Sequence, residues 1–388
     1  MLANDQELQA SIDALQEKLR HTYQYDGLIA LESEARELAD LHPTEPSILA
    51  LIGAILRQRL EWDVASEHYA SSSSKFPDDM GLRYEAALTG IDAGSYRRGL
   101  AVLTELAQRL NVLNGRQLRG FWRAAPMVGL YKESLDAFHR SVAENIQPSL
   151  PEIAERLELA AKNATSEAVQ AIGMLSIGEN CMPWSLGQRW GLRPPDRFLE
   201  QESPFNLAQT VTDTTATLLE DGLYPLIALP HLSSGTSENG VSRPLNNHYR
   251  FDFNHEWGSK FIRNNYSELL DRYALRINNL RRYLVSQPAV YVHYTERDGD
   301  LQRLAMAVRQ AVQHDRYRLI IFDVWDGDRT GVKDMDRVEY HRIQLPRPDY
   351  IWYRPDDLDT AEGISFERSM QEIVKAAMMT LNSEISRA

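Results

Sequence analysis

The chain has 388 residues, of which 43% are hydrophobic and 25% charged, and Cys181 is its only cysteine. This length predicts two or three domains with a substantial core. The lone cysteine excludes an internal disulfide and a thiolate-rich zinc site, and the net charge of −13 disfavours nucleic acid or an anionic membrane as the partner.

The N-terminus has no basic and apolar leader of the secretory kind. No apolar run approaches the ~18 residues that a transmembrane helix needs. We therefore expect a cytoplasmic protein without a transmembrane segment.

A helical repeat of the tetratricopeptide type is predicted for residues 1–165. The segment 48–78 matches the pattern best, with Gly53 and Ala65 where two helices would cross and Pro77 at the end of the second helix. Weaker copies occupy residues 83–106 and 116–144. A generic helical bundle is the alternative. Stacked helix pairs form a concave surface that binds another chain, so we expect a docking domain with a protein partner.

Residues 168–388 alternate between strand-like and helix-like segments, after a polar seam at 161–166. The predicted strands are 172–177, 289–294, 318–324, 340–345 and 350–353, and the predicted helices are 183–191, 207–219, 260–284, 301–312 and 364–381, with a long loop at 231–247. The predicted fold class is therefore α + α/β: a tetratricopeptide-like α-solenoid followed by a three-layer α/β domain with a mostly parallel sheet. Sites in such sheets lie at the carboxyl ends of the strands.

Cys181 lies directly after the first of these strands. Gly178 and Asn180 permit a tight turn there, and Pro183 suits the first turn of a helix. A thiol at a helix N-terminus faces free N–H groups, which lower its pKa and stabilise an oxyanion. This placement is typical of a nucleophile, whereas the alternative is a buried, inert cysteine.

A nucleophilic thiol needs a base and a group that orients the base. His255 and His293 are the best candidates for the base. Asp323 and Asp326, at the end of the clearest strand, are candidates for the orienting carboxylate. The sequence leaves the pairing of these groups open.

Two metal sites are weighed as alternatives. Asp326 and Asp328 form an Asp-x-Asp motif after a strand, where glycosyltransferases of one fold class hold a divalent metal, although a polar turn that caps the strand is the favoured interpretation. His248, Asp252 and His255 are competent metal ligands, but strand alternation would put His255 on the opposite face from the other two. We therefore expect no cofactor, with a divalent metal as the alternative.

Three short motifs resemble an uncharacterised bacterial family described as papain-like cysteine peptidases. They are Ser176-Ile-Gly-Glu-Asn-Cys181, a Gly-Leu-Arg stretch that ends at Arg193, and a Ser-Pro-Phe-Asn stretch that ends at Asn206, where the family usually has Asp. The resemblance covers about residues 173–325 and implies catalysis by Cys181, with His255 in the family's aromatic stretch. The candidates for substrate binding are Ser176, Gly178, Asn180, Arg193, Asn206 and Arg276.

The Gly-x-Asn-Cys element also resembles capsular-polysaccharide acyltransferases, which implies a setting in surface-polysaccharide biosynthesis. Five arginines of the predicted helix 260–284 could meet an anionic substrate, but acidic neighbours favour a solvated helix face. They are Arg263, Arg272, Arg276, Arg281 and Arg282. The leading hypothesis is acyl transfer or hydrolysis by Cys181, of a carbohydrate, acyl or peptide substrate. The alternatives are a metal-dependent glycosyltransferase using Asp326 and Asp328, and a non-catalytic adaptor.

Overall fold

The N-terminal part of the chain is a succession of helices, most of them packed against the next one in sequence. The computed structural model describes residues 2–237, 240–325, 327, 331–332 and 335–387. The helices are α1 (Leu2–His21), α2 (Tyr25–Leu41), α3 (Pro46–Gln58), α4 (Trp62–Lys75), α5 (Met80–Asp92), α6 (Tyr96–Ala107), α7 (Gly115–Ala124), α8 (Tyr131–Ala143), α9 (Pro151–Ala164) and α10 (Glu167–Ala171). This part is helical as predicted, and its tetratricopeptide character remains a prediction.

Local side-chain chemistry sets where these helices begin, end and cross. The Asp79 carboxylate caps α5 by accepting a hydrogen bond of 2.8 Å from the amide of Leu82. Helix α4 ends at Lys75, two residues before a proline. Helices α3 and α4 cross where Gly53 meets the ring of Tyr69, and a Cβ at Gly53 would lie 2.2 Å from that ring. The close crossing therefore requires glycine.

The C-terminal part contains a four-stranded sheet. Its elements are β1 (Gly173–Ser176), α11 (Met182–Arg189), α12 (Thr212–Glu220), β2 (Leu232–Thr236), β3 (Ser242–Asn246), β4 (Phe251–Asp252), α13 (Arg263–Val285), β5 (Ala289–Thr295), α14 (Leu301–Ala311), β6 (Tyr317–Asp323), β7 (Val338–Arg342), α15 (Pro355–Leu358) and α16 (Ala361–Arg387). The strand order is β1-β5-β6-β7 and every pair is parallel, which confirms the predicted parallel sheet. A separate antiparallel sheet has the order β2-β3-β4.

Both faces of the parallel sheet are covered by helices. Side chains alternate along β5, so that Val290 and Val292 join the core formed with α11 and α16. Ala289 and Tyr291 join the core formed with α12, α13 and α14 on the other face. The result is the three-layer arrangement that the alternation of strands and helices predicted.

Several predicted elements are wrong. Residues 231–247 are not a loop, because β2 and β3 pair as antiparallel strands there. The helix predicted at 207–219 begins only at Thr212, since the preceding backbone forms a bridge from Gln209 to Asp252. Residues 350–353 are not a strand. The polar stretch at 161–166 lies mostly within the last turn of α9, and its role as a domain boundary remains a prediction.

The larger hydrophobic core runs without interruption from the helical part into the sheet. It contains buried side chains of α5 to α8, of one face of the sheet and of α16, with Trp122 and Trp190 among the largest. Polar contacts also join the two parts: the Tyr131 hydroxyl donates to the carbonyl oxygen of Gln188 at 2.8 Å. No helix in the described part of the chain is both long and apolar enough to cross a membrane.

Candidate functional site

Cys181 is the cap residue of α11, immediately beyond the carboxyl end of β1. The neighbouring Asn180 side chain accepts a hydrogen bond of 2.9 Å from the amide of Met182, and Pro183 occupies the first turn. Asn180, predicted to bind substrate, therefore caps the helix that carries the thiol. Since Met182 already has a partner and proline has no N–H, few amides of this turn remain for an oxyanion.

His255 lies beside the thiol. Its Nε2 is 3.8 Å from the Cys181 Sγ, although the two residues are 74 positions apart in sequence. His255 lies in the segment that follows β4. Phe251 in β4 and Phe253 just after it are both buried in the core. In the described ranges, no carboxylate is hydrogen-bonded to the His255 ring. The structure thus brings together a thiol and an imidazole, and none of the described carboxylates is hydrogen-bonded to that imidazole.

The electrostatic environment keeps both groups neutral. Burial raises the pKa of the Cys181 thiol to about 11, opposed by a hydrogen bond from its own backbone amide and by the charge of Arg189. Burial also lowers the pKa of His255, while the Glu256 carboxylate raises it and Arg276 lowers it. At neutral pH the resting pair is therefore a thiol beside a neutral imidazole.

Glu256, next to His255 in the chain, is fully buried and bound by two arginines. Its Oε1 accepts from Arg276 Nη1 at 2.8 Å and its Oε2 from Arg272 Nη1 at 2.5 Å. Arg276 is itself buried, and its Nε lies 3.7 Å from a Glu202 oxygen. Arg276, predicted to bind substrate, therefore forms internal ion pairs.

The arginines of α13 do not form one solvated face, contrary to the favoured expectation. Arg263, Arg281 and Arg282 are exposed, but Arg272 is half-buried and Arg276 is buried. The last two are four residues apart and share one side of the helix, which points to Glu256. Sequence reasoning missed this carboxylate, although two arginines at helical spacing were the available signal.

His293, the other candidate base, is buried away from the thiol. Its Nδ1 is 2.9 Å from the Ile177 carbonyl oxygen and its Nε2 is 3.1 Å from the Thr212 hydroxyl. Thr212 donates from its hydroxyl and from its amide to the Glu179 carboxylate, at 2.7 and 2.9 Å. Burial raises the pKa of Glu179, and the bonds from Thr212 lower it. The His293 ring lies within this polar cluster.

Asp323, a candidate for orienting the base, makes different contacts. Its carboxylate accepts from the Trp325 amide at 3.0 Å and from the Tyr340 hydroxyl at 2.7 Å. Both bonds organise the chain after β6. Asp326 and Asp328, named above as catalytic and metal-binding candidates, lie outside the described residues.

Two further substrate-binding candidates, Ser176 and Asn206, are buried and lie next to the same serine hydroxyl. The carbonyl oxygen of Ser176 accepts from the Ser203 hydroxyl at 2.6 Å, and the same hydroxyl lies 3.0 Å from Asn206 Oδ1. Asn206 is buried and replaces the aspartate of the resembled family without leaving a charge there. These bonds join the end of β1 to the segment before α12.

Gly178 and Arg193, the remaining substrate-binding candidates, are both packed in the interior of the protein. A Cβ at Gly178 would lie 3.1 Å from the Tyr294 amide nitrogen, so the turn after β1 packs directly on β5. Arg193 is buried, its Nη2 donates to the Phe198 carbonyl oxygen at 3.3 Å, and burial lowers its pKa to about 10.

No group of three or more histidine, cysteine, aspartate or glutamate side chains is placed to hold a metal ion, as far as the described residues extend. Comparison of the chain with protein-family models, with curated proteins and with solved structures gave no match. The geometry around Cys181 is therefore the basis on which we infer a function.

Proposed function

We propose that the C-terminal part is a cysteine-dependent acyl-transfer or hydrolytic enzyme, with Cys181 as nucleophile and His255 as general base. The observation that carries the proposal is the 3.8 Å contact between Sγ and Nε2 at the carboxyl end of the first strand. A thiol and an imidazole from distant segments meet where parallel α/β sheets place their sites.

The first step forms a thioester. The Cys181 sulfur attacks the carbonyl carbon of the acyl donor while His255 Nε2 accepts the thiol proton. The bond from that carbon to the leaving group breaks, and the imidazolium returns the proton to the leaving group. In the second step His255 takes a proton from water or an acceptor alcohol or amine, which attacks the thioester and releases the thiol.

The neutral resting pair assigns His255 a general-base role. A thiol with a pKa of about 11 is rarely ionised at neutral pH, so the proton must leave during the attack. The lowered pKa of His255 keeps its Nε2 unprotonated and able to accept that proton. The substrate classes that this chemistry serves are peptides and acylated carbohydrates, the latter in the surface-polysaccharide setting that the resemblance implies.

The test is acetylation of Cys181 by p-nitrophenyl acetate, followed by release of p-nitrophenolate and by intact mass. We expect one acetyl group per chain in the wild type, none in Cys181→Ala, and at least about a tenfold slower reaction in His255→Ala. His248→Ala is the matched control, since His248 is exposed and stacks on His231 with the ring centroids 4.4 Å apart. Equal rates in the wild type and His255→Ala would refute the proposed dyad.

A non-catalytic adaptor is the second candidate function. The raised pKa of the Cys181 thiol and the missing orienting carboxylate, within the described residues, favour it. The same experiment decides, because an adaptor predicts that Cys181 is acetylated no faster than the unfolded chain at the same pH.

A further inference from the structure

A line of ion pairs connects the helical part of the chain with the residue next to His255. Asp63, in the first turn of α4, lies with its two carboxylate oxygens 3.2 and 3.3 Å from Arg272 Nη2. The other terminal nitrogen of Arg272 donates to Glu256 Oε2 at 2.5 Å. Glu256 follows His255 directly in the sequence.

The buried end of this line of ion pairs fixes the orientation of the Glu256 carboxylate. Glu256 is 0% exposed, and each of its carboxylate oxygens is taken by a different arginine. A buried carboxylate held on both oxygens cannot rotate without leaving a cation unpaired, which is costly. The position of Glu256, and with it the backbone at His255, therefore depends on where the two guanidinium groups lie.

The two arginines are held differently. Arg276 is buried, and both of its ion-pair partners, Glu256 and Glu202, belong to the C-terminal part. Arg272 is half-buried and packs on the ring of Phe261. In addition to Glu256, its ion-pair partner is Asp63 of α4. The helical part thus supplies one of the contacts that determine the orientation of Arg272.

We propose that Asp63 is a positioning residue for His255, acting through Arg272 and Glu256. The inference rests on the proposed function of Cys181 and His255. The helical part is then more than a docking surface, because its fourth helix determines the placement of the base.

The test is a cycle of variants with p-nitrophenyl acetate as the probe. Asp63→Asn removes the charge at nearly constant size. We expect it to slow acetylation about threefold to tenfold when His255 is present, and not at all in the His255→Ala background. Arg272→Lys, which cannot bridge two carboxylates in the same way, should show the same dependence on His255. Asp63→Glu keeps the charge and should restore part of the acetylation rate that Asp63→Asn loses.

The matched control is Asp359→Asn. Asp359 also joins the two parts through arginines, accepting from Arg123 Nε at 2.8 Å and Arg156 Nη2 at 3.2 Å, but it has no contact with Glu256 in the described structure. It should leave acetylation unchanged. An Asp63→Asn effect of equal size with and without His255, or an equal effect of Asp359→Asn, would overturn the inference while the dyad stands. Unchanged acetylation in His255→Ala itself would remove the dyad and the inference together.

Discussion

The ionisation of Cys181 can be measured directly, because it is the only thiol in the chain. Burial raises its pKa from an ordinary 9.0 to about 11. Two pH units correspond to a thiolate population about 100-fold smaller at neutral pH, or about 3 kcal/mol against ionisation. We expect alkylation of the native protein by iodoacetamide to be correspondingly slow at pH 7.5.

The assay is the second-order rate constant of alkylation between pH 6 and 11.5, with the urea-unfolded chain as the control. Limited access to the thiol would lower the rate at every pH without moving the midpoint, whereas a raised pKa moves the midpoint. We expect a midpoint near 11 in the native protein and near the ordinary thiol value in the unfolded chain. The His255→Ala variant should keep the raised midpoint, because burial is its main cause.

A midpoint near or below 7 would refute this reasoning. It would mean that the thiolate and the imidazolium form an ion pair in the resting protein, so that their mutual attraction outweighs the cost of burying both charges. His255 would then be the source of the activated thiolate, and its removal would raise the midpoint.

Three further outcomes follow from the same contacts. Since the pKa of Cys181 is raised in the folded protein, its contribution to stability is present below the unfolded pKa and is lost as the pH rises through about 11. Over that range the free energy of unfolding of the wild type, measured in urea, should fall by up to about 3 kcal/mol relative to that of Cys181→Ser. Parallel curves for the two proteins would contradict the raised pKa. Glu256→Gln removes the buried anion that Arg272 and Arg276 share and should lower the free energy of unfolding by about 3–5 kcal/mol. The control is Glu155→Gln, which breaks the exposed ion pair of Glu155 with Arg368 and should have little effect. Gly53→Ala forces a methyl group into the ring of Tyr69 and should cost about 1–3 kcal/mol by thermal unfolding, while Gly90→Ala, whose new Cβ would have no neighbour closer than 3.6 Å, should lack that steric cost.

The parallel sheet was predictable because its two central strands, β5 and β6, are mostly apolar runs, each preceded by a helix. β5 and β6 are buried on both faces, and in sequence their residues are therefore mostly apolar instead of alternating between apolar and polar. The β2–β3 hairpin was not predictable from composition, since its serine, glycine and proline residues have low strand propensity. Its strands form because their backbones pair, from Leu232 with Asn246 to Thr236 with Ser242.

The candidate site was predictable only in part. The cysteine after the first strand followed from a local pattern of turn and helix-start residues. The choice between His255 and His293 did not, because it depends on which face of the sheet each side chain meets. His293 is two residues after Tyr291 in β5 and therefore lies on the same face of the sheet, the face covered by α12, where Thr212 contacts it. No local sequence pattern indicates which helix covers which face of the sheet.

The uninterrupted core between the helical part and the sheet limits how such a chain can be recombined in evolution or in the laboratory. A repeat array joined to its neighbour by a flexible tether can be exchanged for another array without loss. Here an exchange near residue 165 would remove one hydrogen-bond partner of Trp190, whose carbonyl oxygen accepts from Asn163 at 2.8 Å. Separate fragments would each present a large apolar face, so we expect them to be recovered together, as a complementing pair, or to aggregate.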